Sequence, residues 1–410
     1  MKQYLITLIA FSAAVIGCTK SGLVEAPQKY QEPITFETYT GKTPTTKAAE
    51  VTTATLATHT SKDDPAFHVN AFLVSDTQTY TNAYMNKDVW STSETPTADA
   101  TNQGFYNSWT YDGATYWPDN GSLLFVAYGL NADKMFGAKE AVKDESGDEI
   151  TPAVPGTPTM TFSNYANMTY TVPAKTSEQE DLIVAVPTTQ GISNNTASNV
   201  LLNFKHVLSK VGFSLKTDAT NNVIITIKSI KLKGAFNSTG DVNLAVVDAT
   251  TNVPVITTGT RTSDVSSYSL FDTNYGEVGA VGPFDCFQIT KSPGATPKPI
   301  YPNTTFTPST GEGVSDAYVA KTGASENNRY MMLIPGTQTN ATIEVIYELE
   351  GDKEKKATAS LGSSFEFEAG KAYEFVIKMN TSSIEFEAGI TDWDDTTIAG
   401  ESIVLKPVIQ

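Results

Sequence analysis

Alternation of apolar and polar positions with a period of two runs through most of the chain. Residues 199–217, NVLLNFKHVLSKVGFSLKT, hold two such runs. Val200, Leu202 and Phe204 share one face of a first predicted strand, and Val211, Phe213 and Leu215 one face of a second. Lys205, His206, Ser209 and Lys210 between them mark a change of direction. DLIVAVP (181–187) precedes this stretch and VIITIKSIKLKG (223–234) follows it. Nearer the start, ITFETY (34–39) alternates as a short strand and FHVNAFLVS (67–75) as a longer one. GSLLFVAYGL (121–130) is a near-continuous apolar run of the kind that suits a central strand. Asp112-Gly113, inside the aromatic stretch 106–118, predicts a hairpin. Strand patterns return at 330–335, 341–350, 356–361, 372–379 and 384–393. ESIVLKPVIQ (401–410) ends the chain with Ile403, Leu405 and Ile409 on one face. Helical periodicity is scarce, and many short strands separated by turn residues predict an all-β protein built of β-sandwiches.

The length, 410 residues, is too great for one ordinary core and suits two domains, with the seam at the central stretch. Only 18% of residues are charged, and Thr, Asn, Ser and Tyr are abundant, a composition of extracellular β-proteins. A net charge of −17 argues against nucleic acid, which needs a Lys/Arg footprint.

Candidate chemistry is thin. The two cysteines, Cys18 and Cys286, leave no intramolecular disulfide framework if the first is consumed at the N-terminus, and Cys286 reads as a small buried residue rather than a nucleophile. With His59, His68 and His206 as the histidines, no zinc constellation forms, and no catalytic, cofactor-binding or metal-binding residues are assigned. No cofactor is expected. Asp63-Asp64 and Asp394-Asp395 read as solvated turns in preference to calcium ligands. His206 reads as a hydrogen-bonding hinge residue. Trp90, Trp109 and Trp117 suit either a carbohydrate platform or core packing, and packing is favoured.

The first 17 residues carry Lys2 and an apolar run too short for a comfortable membrane span, which marks an export signal. Val15-Ile16-Gly17-Cys18 then resembles a bacterial lipoprotein signal, implying cleavage before Cys18 and a lipid on that residue; an ordinary signal peptide with an incidental Cys is the other reading. Residues 19–33 form a polar tether. Residues 41–54 are rich in Thr, Pro and Ala with Lys47 in TTKAAE, a segment that is either a plain linker or a site for proteolysis.

The leader ending at Cys18, ITFETY, TYWPDNGSLLFVAY, DLIVAV, VLLNFKHVLSKVGFSL, MMLIPG, FEAGKAYEFVIKM and IEFEAGITDW, in that order, resemble the fimbrillin family of Bacteroidales, subunits of type V pili. The resemblance implies two transthyretin-like antiparallel β-sandwich domains. It implies a division into a signal peptide (1–17), a tether with a removable N-terminal strand (18–47), an N-terminal sandwich (48–198) and a C-terminal sandwich (199–410) whose residues 402–410 are a candidate donor strand. It further implies a lipoprotein of the outer membrane, trimmed by a protease so that a neighbouring subunit's strand fills the vacated groove, giving an extracellular fimbria that serves adhesion. On this chain Ile34, Phe36 and Thr38 would belong to the removable strand, Lys47 would be the cleavage residue, and Ile403, Leu405 and Ile409 would fill the neighbour's groove. Family stalk subunits are cut after Arg, whereas Arg261 and Arg329 here stand far from the N-terminus. The partners implied are other fimbrial subunits, the outer membrane through the N-terminal lipid, and a host or bacterial surface ligand. The alternative is a surface lipoprotein that binds glycan or a host ligand without polymerising.

Overall fold

The structure, a computed structural model, describes residues 32–39, 56–92, 97–98, 105–106, 109–129, 142–143, 149–151, 159–173, 176, 179–191, 199–216, 225–257, 265–270, 287–289, 298–300, 330–349, 353–379, 384–393, 403–405 and 407–409. Among them the architecture is almost entirely β, and four sheets carry the fold.

The largest sheet runs in the order Phe36–Tyr39, Val200–His206, Ile183–Ala185, Ser122–Gly129, Phe67–Leu73, Met85–Ser91, Trp109–Thr110, with Thr188–Gly191 also on Ser122–Gly129. Ser122–Gly129, from the apolar run read in the sequence at 121–130, is therefore central, as its composition predicts. Period two sorts the faces: Phe67, Val69 and Ala71 enter one apolar core with Leu123, Phe125, Val200, Leu202 and Phe204. Phe72, Val126 and Val184 face the other way, into a second and larger core.

A four-stranded sheet contributes to that second core. Its order is Thr159–Asn164, Asn167–Thr171, Thr239–Val247, Pro254–Thr257, so two strands from before the central stretch pair with two from after it. Ile225–Phe236 and Thr239–Val247 are separated by two residues, yet the first belongs to a different sheet. Strand period gives no sign of this exchange, because both faces of each strand remain compatible with either partner.

The remaining sheets form the C-terminal part. One runs Lys298–Pro299, Ser209–Lys216, Lys371–Met379, Ile384–Asp392, Ile403–Leu405, with Met331–Leu333 also on Ser209–Lys216. The other runs Val265–Ser269, Ile225–Phe236, Thr342–Leu349, Lys355–Ser360, Pro407–Ile409, with Phe287–Ile289 also on Ile225–Phe236. Phe213, Phe375 and Phe386 of the first share the larger core with Ile227, Leu232, Ile343 and Val345 of the second.

Among the described strands two pairings depart from an antiparallel design. Phe36–Tyr39 lies parallel to Val200–Asn203, and Ser209–Lys216 parallel to Lys371–Met379. Both involve the central stretch, whose two strands leave the first sheet for the third within Val207 and Leu208. A buried cluster fixes this crossing. His206 Nδ1 lies 2.7 Å from Asp181 Oδ2, its ring stacks on Trp393 at 4.5 Å and 3°, and Lys210 Nζ sits 4.4 Å from the Tyr330 ring centre. Gly370, at φ +69°, passes against the His206 carbonyl where a Cβ would stand 3.1 Å away. The hinge role read for His206 thus has a full set of contacts.

Candidate strand-exchange groove

The N-terminal segment is held on both sides. Ile34 N–H donates to Thr115 O at 2.9 Å, Trp117 N–H to Glu32 O at 3.3 Å, and Pro33 bridges Tyr116. On the opposite side Val200 N–H donates to Thr35 O at 2.8 Å, opening the parallel register Phe36↔Val200 to Tyr39↔Asn203. Side chains reinforce the backbone. Tyr111 OH donates to Ile34 O at 2.8 Å, and Asn199 Nδ2 to Glu37 Oε1 at 2.7 Å. Thr35 Oγ1 hydrogen-bonds Asn199 Oδ1. Burial raises the Tyr111 phenol above its ordinary range, an effect that outweighs its hydrogen bonds with Thr115, so the hydroxyl remains a donor near neutrality.

Beneath the segment lies an aromatic trench. Ile34 and Phe36 are 1% and 3% exposed. The Phe36 ring lies 6.3 Å from Phe67, 6.2 Å from Phe125 and 6.0 Å from Tyr111, with the first two contacts edge-to-face. Thr38 is buried in line with them, and its Oγ1 finds no hydrogen-bond partner among the described residues. Taking the segment away would bare Phe67, Phe125 and Leu202 and leave one edge of Val200–His206 without a neighbour.

The other residues singled out in the sequence are placed as follows. Ile403 stands opposite Ala388 and Leu405 opposite Phe386, in one C-terminal sheet; Ile409 stands opposite Ala357 in the other. The sequence reading puts all three on one face of a single strand, but Ile403–Leu405 and Pro407–Ile409 belong to different sheets. Pro407 has no N–H with which to continue the first ladder, and it opens the next strand instead. Cys18 and Lys47 lie outside the described residues. Trp109 and Trp117 are buried against Phe67 and Phe125, with ring centres 5.1 and 5.7 Å apart, which is the packing role. Asp112-Gly113 makes a turn with Gly113 at φ +66°, yet its arms do not pair with each other. Trp109–Thr110 pairs with Trp90–Ser91, and Tyr116 with Pro33.

Tyr111, Thr115 and Asn199 are the groove residues that the sequence reading missed. Tyr111 and Thr115 flank the turn and read as hairpin residues; the cue to another role is a Tyr able to place a hydroxyl beyond an apolar row.

A profile described as fimbrillin-like matches residues 52–271 and 286–393. The chain belongs to the fimbrillin-like family. Fimbrillin-like proteins are structural subunits rather than enzymes, and among the described residues no group of three or more His, Cys, Asp or Glu is arranged to hold a metal. A comparison with curated proteins finds no match. Among solved structures, the chain is similar to a fimbrial protein from Bacteroides vulgatus ATCC 8482, at 15% identity and a TM-score of 0.49 over 88% of this chain and 99% of that one. It is also similar to a fimbrial assembly protein from Parabacteroides distasonis ATCC 8503, at 10% identity and a TM-score of 0.38 over 91% of this chain and 98% of that one.

Proposed function

We propose that this fimbrillin-like protein is a fimbrial subunit, stalk or tip, exported as an outer-membrane lipoprotein on Cys18 and polymerised by strand exchange between transthyretin-like sandwiches. Cleavage after Lys47 releases residues up to 47, the strand Phe36–Tyr39 leaves its trench, and a strand from the next subunit takes its position. The observation that carries this reading is the parallel edge strand Phe36–Tyr39, seated over a trench of aromatic rings. Four paired residues form a short ladder, and parallel pairing is slightly weaker per residue than antiparallel. Burial of Ile34 and Phe36 nevertheless contributes roughly 1.5–3 kcal/mol each. The strand is thus held well enough to protect the monomer and is small enough to be replaced. An open edge over an apolar groove is sticky, and β-augmentation by another chain satisfies its backbone and its pockets together. Head-to-tail repetition of such a contact gives a filament rather than a closed ring.

The donor in this scheme is the chain end, with Ile403, Leu405 and Ile409 as filling residues. In the monomer those residues occupy sheet edges of their own, from which they would have to detach. The second reading, a surface lipoprotein that holds glycan or a host ligand without polymerising, keeps Phe36–Tyr39 in place. N-terminal sequencing of the protein taken from the cell surface separates the two. A start near Ala48 supports the processed subunit, and a start at Cys18 supports the retained lipoprotein.

A further inference from the structure

The large sheet has a second face, turned away from the trench. There the strand Phe67–Leu73 presents His68 and Asn70 while Phe67 and Val69 point into the trench core. Register sets His68 between Asp88 and Tyr128, and Asn70 beside Asn86. The turn joining Thr159–Asn164 to Asn167–Thr171 overhangs these rows, and between them lies a cleft of about 330 Å³. That volume is at the small end of ligand pockets, room for a mono- or disaccharide unit.

The lining is chemically specific. Phe162 and Tyr165 are 43% and 38% exposed, unusual for large aromatic residues beside amide groups. Phe162 sits at a register shift between Phe162 and Asn164, and such bulges redirect side chains. Its ring lies 5.3 Å from Tyr128, which lies 5.3 Å from the His68 ring. His68 Nδ1 is 2.6 Å from Asp88 Oδ1 and its Nε2 is 3.3 Å from Asn70 Oδ1, so the imidazole is held as part of the wall. The walls are fixed before any ligand arrives: Asn70 Nδ2 donates to Tyr165 O at 2.9 Å, and Asn164 Oδ1 accepts from Ala166 and Asn167 N–H at 2.9 Å. Among the described residues no Lys or Arg lines the cleft. With an adjacent Asp88 and a chain charge of −17, an anionic ligand is disfavoured. Burial, followed by the Asp88 charge, raises the Tyr128 phenol, so the ring stays neutral.

Flat apolar rings next to carboxamide and imidazole groups match a ring that has one C–H face and a rim of hydroxyls. We propose that this cleft binds a neutral hexose, its ring face against Phe162 and Tyr165 and its hydroxyls on the Asn86 side-chain amide. The site goes beyond strand exchange and does not depend on it. It opens on the opposite face of the sheet from the trench, so a strand seated in the trench leaves it uncovered. Repetition along a fimbria would multiply weak single contacts into avidity.

Saturation-transfer NMR on the mature chain, with methyl glucoside, galactoside, mannoside and N-acetylglucosaminide as probes, tests the proposal. At least one of these neutral glycosides is expected to receive saturation. Titration should show Phe162→Ala and Asn86→Ala each weakening it about tenfold, the loss of roughly one stacking or hydrogen-bonding contact. Both positions are solvent-exposed, so circular dichroism of the variants is expected to match the parent, and Leu201→Ala, on a strand remote from the cleft, should leave affinity unchanged. The proposal is overturned if the folded parent transfers to none of the four glycosides, if neither variant weakens binding, or if a methyl sialoside binds in preference to all of them.

Discussion

Thr38 is where the fit of the N-terminal strand is least complete. Its hydroxyl is buried and has no hydrogen-bond partner among the described residues, which costs free energy that an apolar group of the same shape would not. Thr38→Val is therefore expected to stabilise the intact chain by about 1 kcal/mol, read as a higher urea midpoint with unchanged slope. Phe36→Ala acts in the opposite sense, costing about 3 kcal/mol through lost burial and the cavity left among Phe67, Phe125 and Tyr111. Glu344 gives a pH signature. Burial alone would raise its carboxyl, but hydrogen bonds and charge from Lys233 and Lys356, each 2.6 Å from Oε2, hold it below the ordinary 4.5. A depressed carboxyl stabilises the fold above its unfolded value and loses that contribution as pH falls through the folded value. Glu344→Gln should thus cost about 1 kcal/mol at pH 7, a difference that shrinks steadily below about pH 4.5 in thermal unfolding.

At the level of elements, the strand Phe36–Tyr39 should open independently of the rest. Val200 N–H is bonded to Thr35 O alone among the described backbone partners, so its hydrogen exchange reports release of that strand. Tyr111→Phe removes the bond to Ile34 O and is expected to speed Val200 exchange about fivefold, the counterpart of roughly 1 kcal/mol, while amides of Ser122–Gly129 keep their protection. Strand existence and faces are legible in the sequence here, because burying one face forces a period of two: Ile34, Phe36 and Thr38 are read from that rule and found buried. Pairing partners are not legible. Nothing in ITFETY announces a parallel neighbour 164 residues later in Val200, and nothing in the 225–247 run announces that its two strands part company. The C-terminal residues fail for a related reason. Ile403, Leu405 and Ile409 keep period two, yet the lack of an N–H at Pro407 divides them between sheets.

The whole molecule is knitted across its middle. The four-stranded sheet joins segments from both sides of the central stretch. Gln179 adds a stitch, accepting from Met332 N–H at 2.7 Å and donating to Pro173 O at 2.9 Å. With His206 hydrogen-bonded to Asp181 and stacked on Trp393, these contacts tie the sheets together around the one short strand at Phe36–Tyr39. Polymerisation by strand exchange requires that strand's replacement by a strand of another copy. The most direct measurement is native mass spectrometry, with N-terminal sequencing, after limited digestion of the exported protein by a trypsin-like protease. The predicted result is loss of residues up to Lys47, a new start at Ala48 and a ladder of oligomers that disappears when residues 403–410 are deleted. A cut chain that keeps its N-terminal fragment bound and remains monomeric, or a ladder that survives the deletion unchanged, would contradict it.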